Sequence, residues 1–340
     1  MTINIAISTY EGVVLGCDSL SSRTALAVMP FSNGDSFAKD LAGNDIIDAQ
    51  GNKVFSASEL RHVVTDVFTG AQKMFLVFED DECSVAGVTA GMATMNGLTI
   101  AGHAGNFRRE TCANDKGFSS VREAVGSFAD HMRAEWEASV SFSTAGEEQR
   151  QHFPDLQFII GGYSSEEQGS PLYKVSIKEN TRVRQFEDGS GTGACWAGQA
   201  DFVERLLMGI DSRLQRAIFR KVGDDLTTQA QQIAKSVLDQ LNGAGIAVPG
   251  TFPISLPQVG VDLPIYDYVT TVDFANLPTQ YAVELVELLV NLQSGMQRFE
   301  TGIATVGGRT HVGVIKRGEK FAMLNEPSLV HSHVGYSHDH

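Results

Sequence analysis

Thr2-Ile3-Asn4-Ile5-Ala6-Ile7-Ser8-Thr9-Tyr10-Glu11-Gly12-Val13-Val14-Leu15-Gly16-Cys17-Asp18-Ser19, directly after Met1, is the stretch that decides the reading of this 340-residue chain. Two runs rich in β-formers flank Glu11-Gly12, a turn signal, so the spacing predicts a β-hairpin. Thr2 then heads the first strand and Asp18 ends the second. Folding the hairpin brings a hydroxyl and a carboxylate together at its open end. If Met1 is removed, Thr2 becomes a nucleophile and a base in one residue. Its hydroxyl attacks a carbonyl, and its own α-amine, with an ordinary pKa of about 8, accepts the proton directly or through a water.

Farther along, Lys73-Met74-Phe75-Leu76-Val77 opens an apolar strand, and Val88-Thr89-Ala90-Gly91-Met92-Ala93 ends another in a small-residue turn. Gln157-Phe158-Ile159-Ile160-Gly161-Gly162-Tyr163 and Pro171-Leu172-Tyr173-Lys174-Val175 form a central pair, and Thr305-Val306-Gly307-Gly308 precedes His311-Val312-Gly313-Val314-Ile315. In this spaced set the chain resembles the β-subunits of the proteasome and their bacterial relatives among the N-terminal-nucleophile hydrolases, including the ancestral β-subunit (Anbu-like) branch. The resemblance implies a threonine amidohydrolase or peptidase acting on peptide or amide bonds, assembled into a ring or spiral of like subunits. It also implies roles for single residues. Thr2 is the nucleophile, Asp18 and Lys73 complete the catalytic set, and the Gly91 N–H is the oxyanion donor. Ser22 and Ala93 fall where substrate is bound, and Ser19 and Thr305 where the site is supported.

These roles make chemical sense. A lysine ammonium beside the α-amine disfavours a second positive charge there and keeps the amine neutral near pH 7, while Asp18 holds Lys73 charged and oriented. A glycine N–H at a turn offers an unobstructed donor to an oxyanion. Two departures from the family pattern stand beside them. Trp196-Ala197-Gly198 replaces a Gly-Ser-Gly, which removes a supporting hydroxyl, and in Glu300-Thr301-Gly302-Ile303-Ala304-Thr305 no aspartate is in register. A non-catalytic subunit that keeps fold and oligomer, and a hydrolase of small amides, are the rival readings.

A formal net charge of −15 argues against nucleic acid or an anionic membrane as partner. No apolar stretch approaches the roughly 20 residues that span a bilayer. The first residues do not resemble a signal peptide, which makes the cytoplasm the expected location. Cys17, Cys83, Cys112 and Cys195 are scattered without a CxxC pair, as reduced thiols would be. His331, His333, His338 and His340 cluster in a tail, residues 326–340, expected to be flexible; neither metal site nor cofactor is assigned.

The order of elements predicts an α+β fold, a four-layer αββα sandwich with two central sheets and outer helices. One domain over 1–325 would carry insertions near 24–72 and 223–278. Strands are expected over Lys73–Phe78, Cys83–Thr89, Leu156–Ala197, His311–Ile315 and Lys320–Leu324. Helices are expected over Ser58–Phe68, from about Met92, and over Ser120–Val140, Asp201–Phe219, Thr227–Leu241 and Thr279–Met296. The proline-rich stretch Ile246–Pro264 breaks too often for a core helix.

Overall fold

The computed structural model describes residues 2–28, 37–40, 42–54, 60–114, 116–147, 150, 152–187, 191–246, 271–300 and 303–325. The histidine tail and most of Ile246–Pro264 lie outside them. The chain is mixed α/β and forms two compact units, one of residues 1–199 with 273–340 and one of residues 200–272.

The first unit holds two five-stranded antiparallel sheets. The predicted hairpin is present as β1 (Ile3–Ser8) and β2 (Gly12–Asp18). With β12 (Gly193–Gly198), β13 (Thr310–Lys316) and β14 (Ala322–Met323) these strands form a sheet ordered β12-β1-β2-β13-β14. The second sheet, β11-β10-β9-β6-β5, uses β5 (Met74–Glu79), β6 (Cys83–Gly91), β9 (Leu156–Ser164), β10 (Leu172–Ser176) and β11 (Thr181–Arg184). Every residue of β1 and β2 is buried, as in a strand covered on both faces. Ala6, Val13, Leu15 and Cys17 point towards Met74, Ala86, Val88 and Ile159 of the other sheet. The opposite face meets α5 (Thr279–Gln297), which packs on β1, β2 and β13. Gly16 permits that approach, since a Cβ there would stand 2.1 Å from Val286 Cγ1.

The outer face of the second sheet is covered by α1 (Ile100–Ala113) and α2 (Val121–Ser139). Val121, Val125, Phe128, Met132 and Trp136 lie on the buried face of α2, the stripe that the sequence periodicity marks. Ser120 caps that helix by accepting from the Glu123 N–H, and Glu123 accepts in return from the Ser119 N–H.

Three expectations are corrected. Ser58–Phe68 does not form a helix. Leu60–Phe68 is β4, paired with β3 (Ser21–Val28), while Ser58 and Glu59 are outside the described residues. The register jumps from Arg23–Asp66 to Thr24–Val64, leaving Thr65 as a bulge. That extra residue breaks the period of two and puts Val64 and Val67, three apart, on one face of the strand. Helix formation is also delayed from Met92 to Ile100. The two-residue strands β7 (Thr94–Met95) and β8 (Leu98–Thr99) intervene around Asn96-Gly97, whose φ values of +46° and +79° make a tight hairpin turn. Thr99 then caps α1.

In the second unit the helices are α3 (Asp201–Met208) and α4 (Ser212–Gly243) rather than breaking near Val222. Gly209, at φ +72°, ends α3, and Asp211 caps α4 with bonds from the Arg213 and Leu214 N–H groups. No helix among the described residues is long and apolar enough to cross a membrane.

Candidate active site

Thr2, Asp18 and Lys73 meet between the two sheets. The β1–β2 register, Asn4 opposite Cys17, carries Asp18 to the start of β1. Lys73 comes from the other sheet, one residue before β5. Its carbonyl accepts from the Thr89 N–H at 2.9 Å, which extends the β5–β6 ladder by one step. All three side chains are buried, at 3%, 1% and 7% exposure.

Five donors converge on the Asp18 carboxylate. Oδ1 accepts from Thr2 Oγ1 at 2.6 Å, the Ile3 N–H at 3.0 Å and Lys73 Nζ at 2.7 Å. Oδ2 accepts from the N–H groups of Leu20 at 3.2 Å and Gly307 at 2.9 Å. Lys73 Nζ also donates to Thr2 Oγ1, so ammonium, hydroxyl and carboxylate form a closed triangle. Burial pushes the Lys73 ammonium below the ordinary lysine range, while the Asp18 charge pushes back. Burial raises the neighbouring Cys17 thiol to about 12, which favours the protonated thiol. His311, across from Cys17 on β13, is held below the usual imidazole range by burial and by Arg309. Its ring nitrogens have no hydrogen-bond partner among the described residues.

The supporting residues are placed as follows. Ser19 Oγ accepts from the Arg309 N–H at 2.7 Å, and the Ser19 N–H donates to the Gly307 carbonyl at 3.1 Å, so Ser19 anchors the loop that leads into β13. Gly91 ends β6 at φ +97°, and a Cβ there would lie 2.1 Å from the Asp155 carbonyl, so only glycine fits. It stands two residues beyond Thr89, the residue bonded to Lys73. Ser22 lies in β3 opposite Val67, and Ala93 is exposed with its carbonyl accepting from the Ile100 N–H.

Thr305 reaches the site through glutamines that the sequence reading passed over. Its hydroxyl donates to Gln199 Oε1 at 2.9 Å, and the Gln199 N–H donates to the Thr2 carbonyl at 2.7 Å. Gln297 Nε2 donates to the same Gln199 oxygen at 2.8 Å, and Gln297 Oε1 accepts from the N–H groups of Thr305 and Val306. The available signal was helical: Gln293 and Gln297 continue the buried face of Ala282, Val286, Leu289 and Val290. A polar side chain on such a face is held there by a hydrogen-bond partner.

Gly198 completes the cradle. At φ +86° a Cβ would stand 2.1 Å from the Thr2 carbonyl oxygen. Gly198→Ala is expected to cost about 3 kcal/mol, combining an unfavourable backbone region with that clash. It should also displace Thr2. A denaturant midpoint unchanged from wild type would show that the Thr2 backbone is not held this way.

A cavity of about 740 Å³, lined by Tyr10, Ser170, Arg184, Phe186, Glu187 and Arg317 among others, lies at the turn end of the β1–β2 hairpin, away from Thr2. The buried convergence of Thr2, Asp18 and Lys73, not cavity size, marks the candidate site.

No protein-family model matches the chain, and no curated protein does. Among solved structures the chain is similar to that in the helical assembly of the Anbu complex from Pseudomonas aeruginosa, at 12% identity over 95% of this chain and 87% of the other, with a TM-score of 0.46. It is similar to Anbu (ancestral beta-subunit) from Yersinia bercovieri at 10% identity, covering 95% and 88%, with a TM-score of 0.46. It is also similar to an Anbu Gly-1 mutant from Hyphomicrobium sp. strain MC1 at 10% identity, covering 96% and 87%, with a TM-score of 0.44.

Proposed function

We propose that this chain is a proteasome-like hydrolase of peptide or amide bonds, with a four-layer αββα architecture and Thr2 as its nucleophile once Met1 is removed. The single observation that carries the reading is the buried triangle of Thr2 Oγ1, Asp18 Oδ1 and Lys73 Nζ. The four-layer arrangement is supported by α1 and α2 on one sheet and α5 on the other. The sequence resemblance adds self-association into a ring or spiral.

Loss of Met1 converts the Thr2 amide nitrogen into an amine. Thr2 Oγ1 attacks the substrate carbonyl carbon and its proton passes to that amine. The tetrahedral intermediate collapses, the C–N bond breaks, and the departing amine takes the proton. Water then cleaves the acyl ester and restores the hydroxyl. Lys73 keeps the amine neutral through like-charge repulsion, and Asp18 fixes Lys73.

The altered Trp196-Ala197-Gly198 segment, without a hydroxyl beside Thr2, favours the second reading, a non-catalytic assembly subunit. Intact-mass measurement and an electrophilic β-lactone separate the two. Hydrolase function predicts a chain lighter by one methionine and a single adduct mapped to Thr2. A chain that retains Met1 and takes no adduct leaves the assembly subunit standing.

A further inference from the structure

A second cluster of reactive groups lies in the helix layer, on the far side of the second sheet from Thr2. His103 of α1 and His131 and Glu135 of α2 each bring one potential ligand atom within 4.8 Å of the others. His131 and Glu135, four residues apart, share one face of α2.

The hydrogen bonds fix which atoms are available. His103 Nε2 lies 2.9 Å from the Met95 carbonyl oxygen, which only accepts, so Nε2 carries the hydrogen. A neutral His103 therefore aims the lone pair of Nδ1 at Glu135 Oε2, 3.6 Å away, and that oxygen is also an acceptor. Asn96 Nδ2 holds Glu135, donating to Oε2 at 3.0 Å and to the Glu135 carbonyl at 3.2 Å. His131 Nε2 is buried without a hydrogen-bond partner among the described residues, while Nδ1 faces Glu110 Oε2 at 3.7 Å. One ring nitrogen of each histidine and one oxygen of Glu135 therefore gather within 4.8 Å of one another.

We propose that His103, His131 and Glu135 bind a divalent first-row metal ion of the zinc class, each through one ring nitrogen or carboxylate oxygen. Two imidazoles and one carboxylate suit such an ion, whereas Ca²⁺ and Mg²⁺ favour all-oxygen shells. At bond lengths of about 2.1 Å, neighbouring ligands of a tetrahedral ion stand about 3.4 Å apart. The 3.6 Å separation of His103 and Glu135 is close to that edge. The other ligand-atom separations, all within 4.8 Å, close to that edge by side-chain rotation. The surrounding groups match what metal-bound histidines require: the second ring nitrogen of His103 meets a carbonyl and that of His131 a carboxylate. The β7–β8 hairpin supplies both Met95 and Asn96, the latter at φ +46°, so the ion would tie this hairpin to α1 and α2. Water completes the coordination.

The test uses the full chain carrying His331→Ala, His333→Ala, His338→Ala and His340→Ala, which removes adventitious binding by the tail. After chelation and dialysis against Zn²⁺, one ion per chain is expected to remain bound, with a raised melting temperature. Adding Glu135→Gln, at a half-exposed position, is expected to weaken binding at least 100-fold and to erase the thermal shift. His131→Ala should do the same. No retained Zn²⁺, or equal retention by the Glu135→Gln chain, overturns the proposal and leaves a His103–Glu135 ion pair only.

Discussion

Asp18→Asn is expected to lower stability by about 3–5 kcal/mol, the range for removing one partner of a buried charge pair, and to abolish turnover. The carboxylate presents only acceptors to five donors: the Thr2 hydroxyl, the Lys73 ammonium and the N–H groups of Ile3, Leu20 and Gly307. An asparagine amide must turn its NH₂ towards one set or the other. Facing Oδ1's partners it opposes an ammonium and a backbone N–H; facing Oδ2's partners it opposes two backbone N–H groups. Either orientation leaves buried donors unsatisfied and Lys73 without a counter-charge, at a position 1% exposed. The midpoint and slope of denaturant unfolding measure the loss. A variant within about 1 kcal/mol of wild type, the scale of one ordinary hydrogen bond, would mean that solvent reaches this site, and the buried triangle would not stand.

The same carboxylate explains why part of the site was legible in the sequence. Thr2 and Asp18 belong to one hairpin, whose turn, closed by the Thr9 N–H donating to the Gly12 carbonyl, fixes its register, so local spacing sufficed to bring them together. Lys73 is brought in by packing between sheets, and only the family resemblance linked it to Thr2. Gln199 and Gln297 were not legible by either route. Their role depends on how the end of α5, the loop before β13 and the residue after β12 converge, which no local pattern encodes. His103, His131 and Glu135 were hidden similarly, because the hairpin that orients them interrupts what reads as helix-forming sequence after Met92. The β4 error has another origin. A single bulged residue put Val64 and Val67, an i, i+3 pair, on one face of the strand.

The second large effect is on chemistry rather than stability. Thr2→Ala removes one donor from Asp18 Oδ1, but the Ile3 N–H and Lys73 Nζ still occupy that oxygen. The Thr2 carbonyl keeps its bond from Gln199, so the backbone stays in place. Lys73 Nζ loses one acceptor and keeps Asp18, so stability should fall by about 1.5–3 kcal/mol, the scale of a hydrogen bond to a charged group. Amide hydrolysis should fall by about a millionfold, the scale of removing a serine nucleophile from subtilisin. Thr2→Ser retains the hydroxyl and should keep measurable turnover, which separates loss of the nucleophile from disturbance of the strand. Unfolding midpoints and turnover of a peptide-amide reporter, measured on chains whose Met1 removal is verified by mass, give both quantities. Equal turnover by wild type and Thr2→Ala would remove Thr2 as nucleophile. A stability loss as large as that of Asp18→Asn would make the Thr2 hydroxyl a structural group of the core, because its contribution would then lie in holding Asp18 and Lys73 together.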